Sequence, residues 1–271
     1  MTGYRIHTAQ FYSKHLNGRR VYRIAIPEKR SDESKPLPLL VLLHGVHGSE
    51  TDWTEQGNLL ETLQEQSRSG NIGDMAVLMP SDGLFSYGTG YLDWAEGYPH
   101  LYERYLLEEA LLDAEQRFDV GGIRSRRSIA GLSMGGYASV RLGWTWPEQF
   151  SSVSSLSGFF DAHELEVLIG GPSFASIFQG DQARIHAASP LTMPLPSEEQ
   201  MPKLYWDCGI DDPYINYNRQ LCDRLRGLAI SHRYEEEAGA HTWDYWRKRI
   251  RHHLQFHYHV MKEATTSEVI L

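Results

Sequence analysis

The strongest chemical signal in the chain is the segment Gly131-Leu132-Ser133-Met134-Gly135. A serine flanked at two residues on either side by glycine can sit on a very sharp turn, because glycine brings no Cβ into the bend. An apolar run, Ser128 to Ala130, enters the segment. A helix-compatible stretch, Tyr137 to Trp144, leaves it. Strand, turn and helix in that order form the setting in which a serine hydroxyl is lifted to a sheet edge as a nucleophile. The chemistry expected of Ser133 is attack on an acyl carbonyl, with the helix N-terminus behind it favouring a developing oxyanion.

A serine hydroxyl needs a base to take its proton, and the base needs a carboxylate to orient it. His241 lies in Glu237-Ala238-Gly239-Ala240-His241-Thr242-Trp243, a small-residue loop between a late strand and a long helix, and is the expected base. His252, His253, His257 and His259 fall in that helix and read as a solvated or packing face. The acid is expected just past the strand Leu204 to Cys208, in Gly209-Ile210-Asp211-Asp212-Pro213. Two adjacent aspartates leave the choice open at this point. One would orient the histidine and the other would serve the turn.

An oxyanion hole needs two backbone N–H groups. Met134, the residue after the nucleophile, is expected to supply one. Val46, in the loop His44-Gly45-Val46-His47-Gly48, is expected to supply the other. His44 and His47 have no carboxylates at a recognisable ligand spacing, so neither a metal nor any other cofactor is expected.

These groups need a scaffold, and the hydropathy pattern predicts one. Leu39 to Leu43 is continuously apolar, as strands buried on both faces are. Similar runs recur at Met75 to Met79, Ser128 to Ala130, Val153 to Leu156 and Leu204 to Cys208. Helical patterns lie between and after them: Leu59 to Gln66, Tyr102 to Phe118, Tyr137 to Trp144, Tyr217 to Leu228 and Thr242 to Met261. This alternation predicts a doubly wound, mostly parallel sheet. Ile6 to Tyr12 and Val21 to Ile26, joined at Asn17-Gly18, predict an antiparallel N-terminal hairpin. Two segments are too long for tight connections. Pro80 to Pro99 is rich in glycine and aromatics, and Phe159 to Pro202 carries several Gly and Pro. They are expected to wall the site, with residues 159–202 as a small cap-like insertion on one domain spanning 1–271.

The chain has 271 residues, 41% of them hydrophobic, and a net charge of −9. That charge argues against a non-specific nucleic-acid binder, which needs clustered Lys and Arg. The short run Arg124 to Arg127 reads as a solvated loop. No run approaches the roughly 18 apolar residues of a membrane span. The N-terminal residues show no secretory pattern, and Cys208 and Cys222 read as buried thiols. A cytoplasmic protein acting on a small-molecule ester is expected, with no nucleic-acid or membrane partner, and with self-association into a homo-oligomer left open.

Taken together, these segments resemble the putative-esterase family of α/β-hydrolases, which includes esterase D (S-formylglutathione hydrolase), tributyrin esterases, feruloyl and acetylxylan esterases and the antigen 85 mycolyltransferases. The resemblance runs from about Leu39 to Phe256. It rests on Leu42-Leu43-His44-Gly45 with Trp53, on Gly131-Leu132-Ser133-Met134-Gly135-Gly136, on Cys208-Gly209-Ile210-Asp211-Asp212 and on Gly239-Ala240-His241-Thr242-Trp243. It implies the α/β-hydrolase fold and places the acid third after the glycine, at Asp212. It also implies a serine carboxylesterase, with the small tributyrin- and acetyl-esterase branch most similar. The loop after His44-Gly45 lacks the cysteine typical of S-formylglutathione hydrolases. An acyltransferase, a thioesterase of that glutathione type and a non-catalytic binding module on the same scaffold are the competing readings. Substrate contacts are expected from Trp53, Asp82, Tyr87, Tyr91, Trp94, Phe159 and Phe160.

Overall fold

The computed structural model describes residues 3–82, 88–98 and 100–268. Strands β1 (Tyr4–Ser13) and β2 (Gly18–Pro27) form the N-terminal hairpin, in register from Tyr4 opposite Pro27 to Ser13 opposite Gly18. The turn is Lys14 to Asn17, closed by an Asn17 N–H to Lys14 O bond of 3.3 Å. Both strands are therefore longer than their hydrophobic alternation alone predicts.

Then come β3 (Leu39–Leu43), α1 (Asp52–Glu55), α2 (Leu59–Arg68) and β4 (Ala76–Pro80). The predicted helix 102–118 appears as α3 (Tyr102–Arg104), a π-helical stretch (Tyr105–Ala110) and α4 (Leu111–Phe118). A 3₁₀ turn (Arg124–Arg126) leads into β5 (Arg127–Leu132), α5 (Met134–Thr145) and β6 (Ser152–Leu156). The segment up to β7 (Lys203–Gly209) carries three short helices, α6 (Glu164–Ile169), α7 (Gly171–Phe178) and α8 (Gln182–Ala188). The chain ends with α9 (Ile215–Gly227), β8 (Arg233–Glu237) and α10 (Trp243–Glu268).

The eight strands form one sheet in the order β1-β2-β4-β3-β5-β6-β7-β8. Pairing is parallel from β4 to β8, and antiparallel for β1 with β2 and for β2 with β4. Side chains alternate across a strand, so β3 feeds two cores. Leu39, Val41 and Leu43 join the cluster with Tyr105, Leu111, Tyr137 and Phe159. Leu40 and Leu42 join the opposite cluster, with Leu63 of α2 and Ile250 and Leu254 of α10. The edge strand β8 reads Arg-Tyr-Glu-Glu-Glu. Its charges discourage pairing with another chain.

The run Arg124 to Arg127 is not a freely solvated loop. Arg124 donates to Pro147 O at 2.8 Å and to Gln200 O at 3.0 Å, and Arg127 pairs with Glu115 at 2.6 Å. Loop carbonyls and a shielded carboxylate at the base of the sheet draw these guanidinium groups inward. No helix among the described residues is long and apolar enough to cross a membrane.

Candidate active site

The site is built where β3, β5, β7 and β8 end. β5 stops at Leu132, α5 starts at Met134, and Ser133 between them has φ 53° and ψ −118°. A side-chain-bearing residue at positive φ is strained, and such strain clusters at functional sites. The surroundings hold it there. Ser133 N–H donates to Leu156 O at 2.9 Å, and its carbonyl accepts from Tyr137 N–H at 2.9 Å. Gly131 makes the bend feasible. A Cβ there would lie 2.5 Å from the Gly135 carbonyl carbon and oxygen, so strand and helix could not meet. Gly131→Ala is accordingly expected to cost about 3 kcal/mol of stability, read by urea unfolding. A loss below about 1 kcal/mol would contradict the close approach.

The expected base and acid arrive on neighbouring loops. His241 Nε2 lies 2.9 Å from Ser133 Oγ, and its Nδ1 lies 2.9 Å from Asp212 Oδ2. The Asp212 side chain is 0% exposed, and its other oxygen accepts the Tyr214 N–H at 2.9 Å. Asp211 is exposed, and its main-chain N–H donates to Gly239 O at 3.0 Å. That bond ties the acid loop to the histidine loop while the Asp211 side chain faces solvent. The His241 ring stands between two aromatic rings, Tyr214 at 5.0 Å and Trp246 at 4.9 Å, both edge-on. It is 23% exposed, open enough for a ligand to reach. With Nδ1–H donated to Asp212, bare Nε2 can accept the serine proton. Burial pushes the Tyr214 phenol up to about 12, with help from Glu164 and Asp212, so it stays neutral beside the imidazole.

The loop after β3 is braced from behind. His44 is buried. Its Nδ1–H donates to Gly45 O at 2.7 Å, and its Nε2 accepts the Asp82 N–H at 3.1 Å. Tyr91 OH donates to His44 O at 3.3 Å, and Trp53 Nε1–H to Leu43 O at 3.1 Å. A Cβ on Gly45 would lie 2.8 Å from Leu132 Cδ1 and 3.4 Å from Ser133 Cβ, so this loop passes directly against the nucleophile. Val46 and Met134, the expected oxyanion donors, meet across it at Gly88. A Cβ on Gly88 would lie 3.0 Å from Val46 Cγ2 and 3.0 Å from Met134 Sδ.

Most residues expected to touch substrate sit deeper than expected. Trp53, Asp82, Tyr91, Phe159 and Phe160 are each at most 2% exposed. Phe159 stacks on Tyr137 at 4.9 Å. Trp94 packs against Tyr98, His100 and Tyr102. Large aromatic rings gain most by full burial, and here the loops spend them on bracing. Tyr87 lies outside the described residues. Among the described residues, no group of His, Cys, Asp and Glu is arranged to hold a metal ion.

Sequence reasoning also passed over a second buried constellation. Of the two readings, a solvated or a packing face, His253 and His257 take the packing one: both are wholly buried, and with Arg249 they meet Asp207 of β7 and Ser152 and Ser154 of β6. The signal was present. Arg249, His253 and His257 recur every four residues on one helix face, and Asp207 interrupts a strand buried on both faces.

A family model described as "Putative esterase" matches residues 13–257. The chain belongs to that family. The esterase is a carboxylic ester hydrolase. It is 30% identical over 265 residues to an acetyl esterase of Caldicellulosiruptor saccharolyticus, covering 89% of this chain and 93% of that one. Among solved structures, it resembles a ferulic acid esterase at TM-score 0.83 and 24% identity, over 96% of this chain and 100% of the other. It also resembles a fluorophosphonate-binding serine hydrolase of Staphylococcus aureus at TM-score 0.81 and 23% identity, over 94% and 99% of the two chains. These structural likenesses place the esterase in the α/β-hydrolase fold.

Proposed function

We propose that the esterase hydrolyses esters of short acyl groups, acetyl foremost, through an acyl-enzyme on Ser133. The observation that carries this reading is the hydrogen-bond chain Ser133–His241–Asp212, with both links at 2.9 Å. His241 Nε2 takes the Ser133 proton as Oγ attacks the ester carbonyl carbon. The carbonyl electron pair moves onto oxygen, where the N–H groups of Val46 and Met134 hold it. Collapse expels the alcohol, which leaves with the proton from His241. Water then gives a proton to His241 and attacks the acyl carbon. The acid departs and Ser133 regains its proton. Asp212 keeps Nδ1 protonated and stabilises the imidazolium that forms twice per turnover.

The limit on acyl size is supported by Gly88, at φ 74°. Its missing Cβ would lie within 3.0 Å of Val46 and Met134 and 3.2 Å from Ile169 Cγ2 of α6. Three side chains therefore converge beside the oxyanion donors and crowd the space a long acyl chain would need. In this reading residues 159–202 act as the cap, with Ile169 reaching in beside Gly88. The acetyl esterase relative and the absence of a cysteine after His44-Gly45 favour an oxygen ester over a glutathione thioester. Two buried free thiols fit a reducing cytoplasm, where we place the protein.

A panel of p-nitrophenyl acetate, butyrate and octanoate, a feruloyl ester and S-formylglutathione tests the assignment. The highest kcat/KM is expected for acetate. A maximum on the feruloyl ester or the thioester would sink it. Ile169→Ala is expected to raise the butyrate-to-acetate ratio of kcat/KM about tenfold, because one or two methylenes in an apolar pocket carry discrimination of that order. An unchanged ratio would remove Ile169 from the acyl pocket.

A further inference from the structure

Asp207 is a carboxylate inside the sheet with no surface exposure. A bare buried carboxylate is very costly, so it must be paired and hydrogen-bonded. Its Oδ2 accepts from Arg249 Nε at 2.6 Å and from His253 Nε2 at 3.1 Å. Burial works against its ionisation, but His253 and Arg249 outweigh burial and hold its carboxyl below the ordinary range. Arg249 also pairs with Glu235, and with Glu237 at 3.6 Å, which ties α10 to β8.

From His253 the chain of bonds continues under the sheet. His253 Nδ1 meets Ser154 Oγ at 2.8 Å, and Ser154 Oγ meets His257 Nε2 at 2.7 Å. His257 Nδ1 meets Ser152 Oγ at 2.8 Å, and Ser152 Oγ meets Ser128 Oγ at 2.7 Å. The links can all be satisfied at once, for example with Ser128 donating to Ser152, Ser152 to His257, His257 to Ser154, Ser154 to His253, and His253 to Asp207. In that arrangement every donor points towards the carboxylate. Burial pushes the His257 imidazole well below its ordinary range, which agrees with a neutral ring there. Strands β5, β6 and β7 are thereby bonded to one face of α10.

That helix begins two residues after His241. Trp246 lies one turn before Arg249 and stands edge-on to His241 at 4.9 Å. Its indole N–H donates to Ser157 Oγ at 3.1 Å, and Ser157 N–H donates to the Asp207 main-chain oxygen at 2.8 Å. Asp207 therefore holds α10 by its side chain and Ser157 by its main chain, with Trp246 fixed between them. We propose that Asp207, Arg249 and His253 form a positioning unit that sets α10, and through Trp246 holds the His241 ring between Asp212 and Ser133. This rests on the reading of His241 as the base. Two hydrogen bonds must be kept at once by one ring, and a displacement near 1 Å at such a site costs on the order of 100-fold in rate.

The test uses Asp207→Asn and Trp246→Phe, with Ser133→Ala and His241→Ala as controls, each assayed on p-nitrophenyl acetate well below its own melting temperature. The deshielded His241 Nδ1 proton, identified by its loss in His241→Ala, is followed by NMR. In both test variants kcat is expected to fall about tenfold or more with KM within about twofold, and the Nδ1 resonance is expected to shift or broaden. A merely structural role would lower the melting temperature and leave both kcat and the resonance of the folded protein alone. If Asp207→Asn does not fold, Trp246→Phe decides, because it removes the indole N–H link while keeping a smaller ring beside His241. Unchanged kcat and resonance in the folded variants, with His241→Ala inactive, would overturn the positioning role alone. Retained activity in His241→Ala would overturn the assignment of the base, and this proposal with it.

Discussion

Ser133→Ala is expected to lower kcat on p-nitrophenyl acetate by on the order of 10⁵ to 10⁶-fold, because it removes the hydroxyl that His241 Nε2 faces at 2.9 Å and that would carry the acyl group. The loss should be chemical rather than structural. Alanine at φ 53° is strained like serine, and the backbone bonds to Leu156 and Tyr137 do not involve the hydroxyl. The melting temperature should therefore stay near that of the parent. Covalent labelling by a fluorophosphonate should vanish in the same variant. Activity within about tenfold of the parent in a folded Ser133→Ala protein would show that the acyl group is carried elsewhere.

Asp212→Asn is expected to cost on the order of 10⁴-fold in kcat, about 5 kcal/mol of transition-state stabilisation. The argument is directional. Asp212 Oδ1 accepts the Tyr214 N–H at 2.9 Å, and Oδ2 faces His241 Nδ1. In an asparagine, the carbonyl would take the Tyr214 donor, and the NH₂ would then point at Nδ1. That arrangement favours a bare Nδ1 and a protonated Nε2. An imidazole in that tautomer cannot accept the Ser133 proton. Asp211→Asn, whose side chain is exposed, should stay within about twofold of the parent. Steady-state kinetics on the pair read the difference, and equal losses would falsify the separation of roles.

The competing aspartates show where sequence reasoning runs out. Asp211 and Asp212 share one segment and one residue type, so nothing local separates them. Their roles depend on how the acid loop returns against Gly239, where a Cβ on Gly209 would lie 2.2 Å from the Gly239 oxygen. That contact turns one carboxylate inward and the other outward. The family resemblance placed the acid at Asp212 by counting from a glycine. In the structure Asp212 is the buried member of the pair and faces the imidazole, which supports the same proposal.

Local patterns were legible because they report on nearest neighbours. The flanking glycines announce a bend at Ser133. The all-apolar strands announce burial on both faces, and their alternation with helical periods announces a parallel sheet. Small residues around His241 announce a loop. Each follows from backbone sterics or side-chain periodicity over a few residues. The three short helices of residues 164–188 were missed because each has too few residues to show a period. The aromatics expected to line the pocket lie deeper than their sequence suggests, because ring size predicts burial but not which side of a loop the ring takes.

Sequence by itself thus determined the elbow, the order of Ser133, the Asp211-Asp212 segment and His241, and the sheet that carries them. Only the tertiary structure decided the partners. Ser133 and His241 are 108 residues apart, Asp212 and His241 29, and His253 and Asp207 46. Separations of that size carry no local signature. They are closed by the strand order, which brings the ends of β5, β7 and β8 to one edge and lays α10 under β6 and β7. Hydrogen bonds between such distant groups depend on packing to a fraction of an ångström, and that precision is a property of the assembled core.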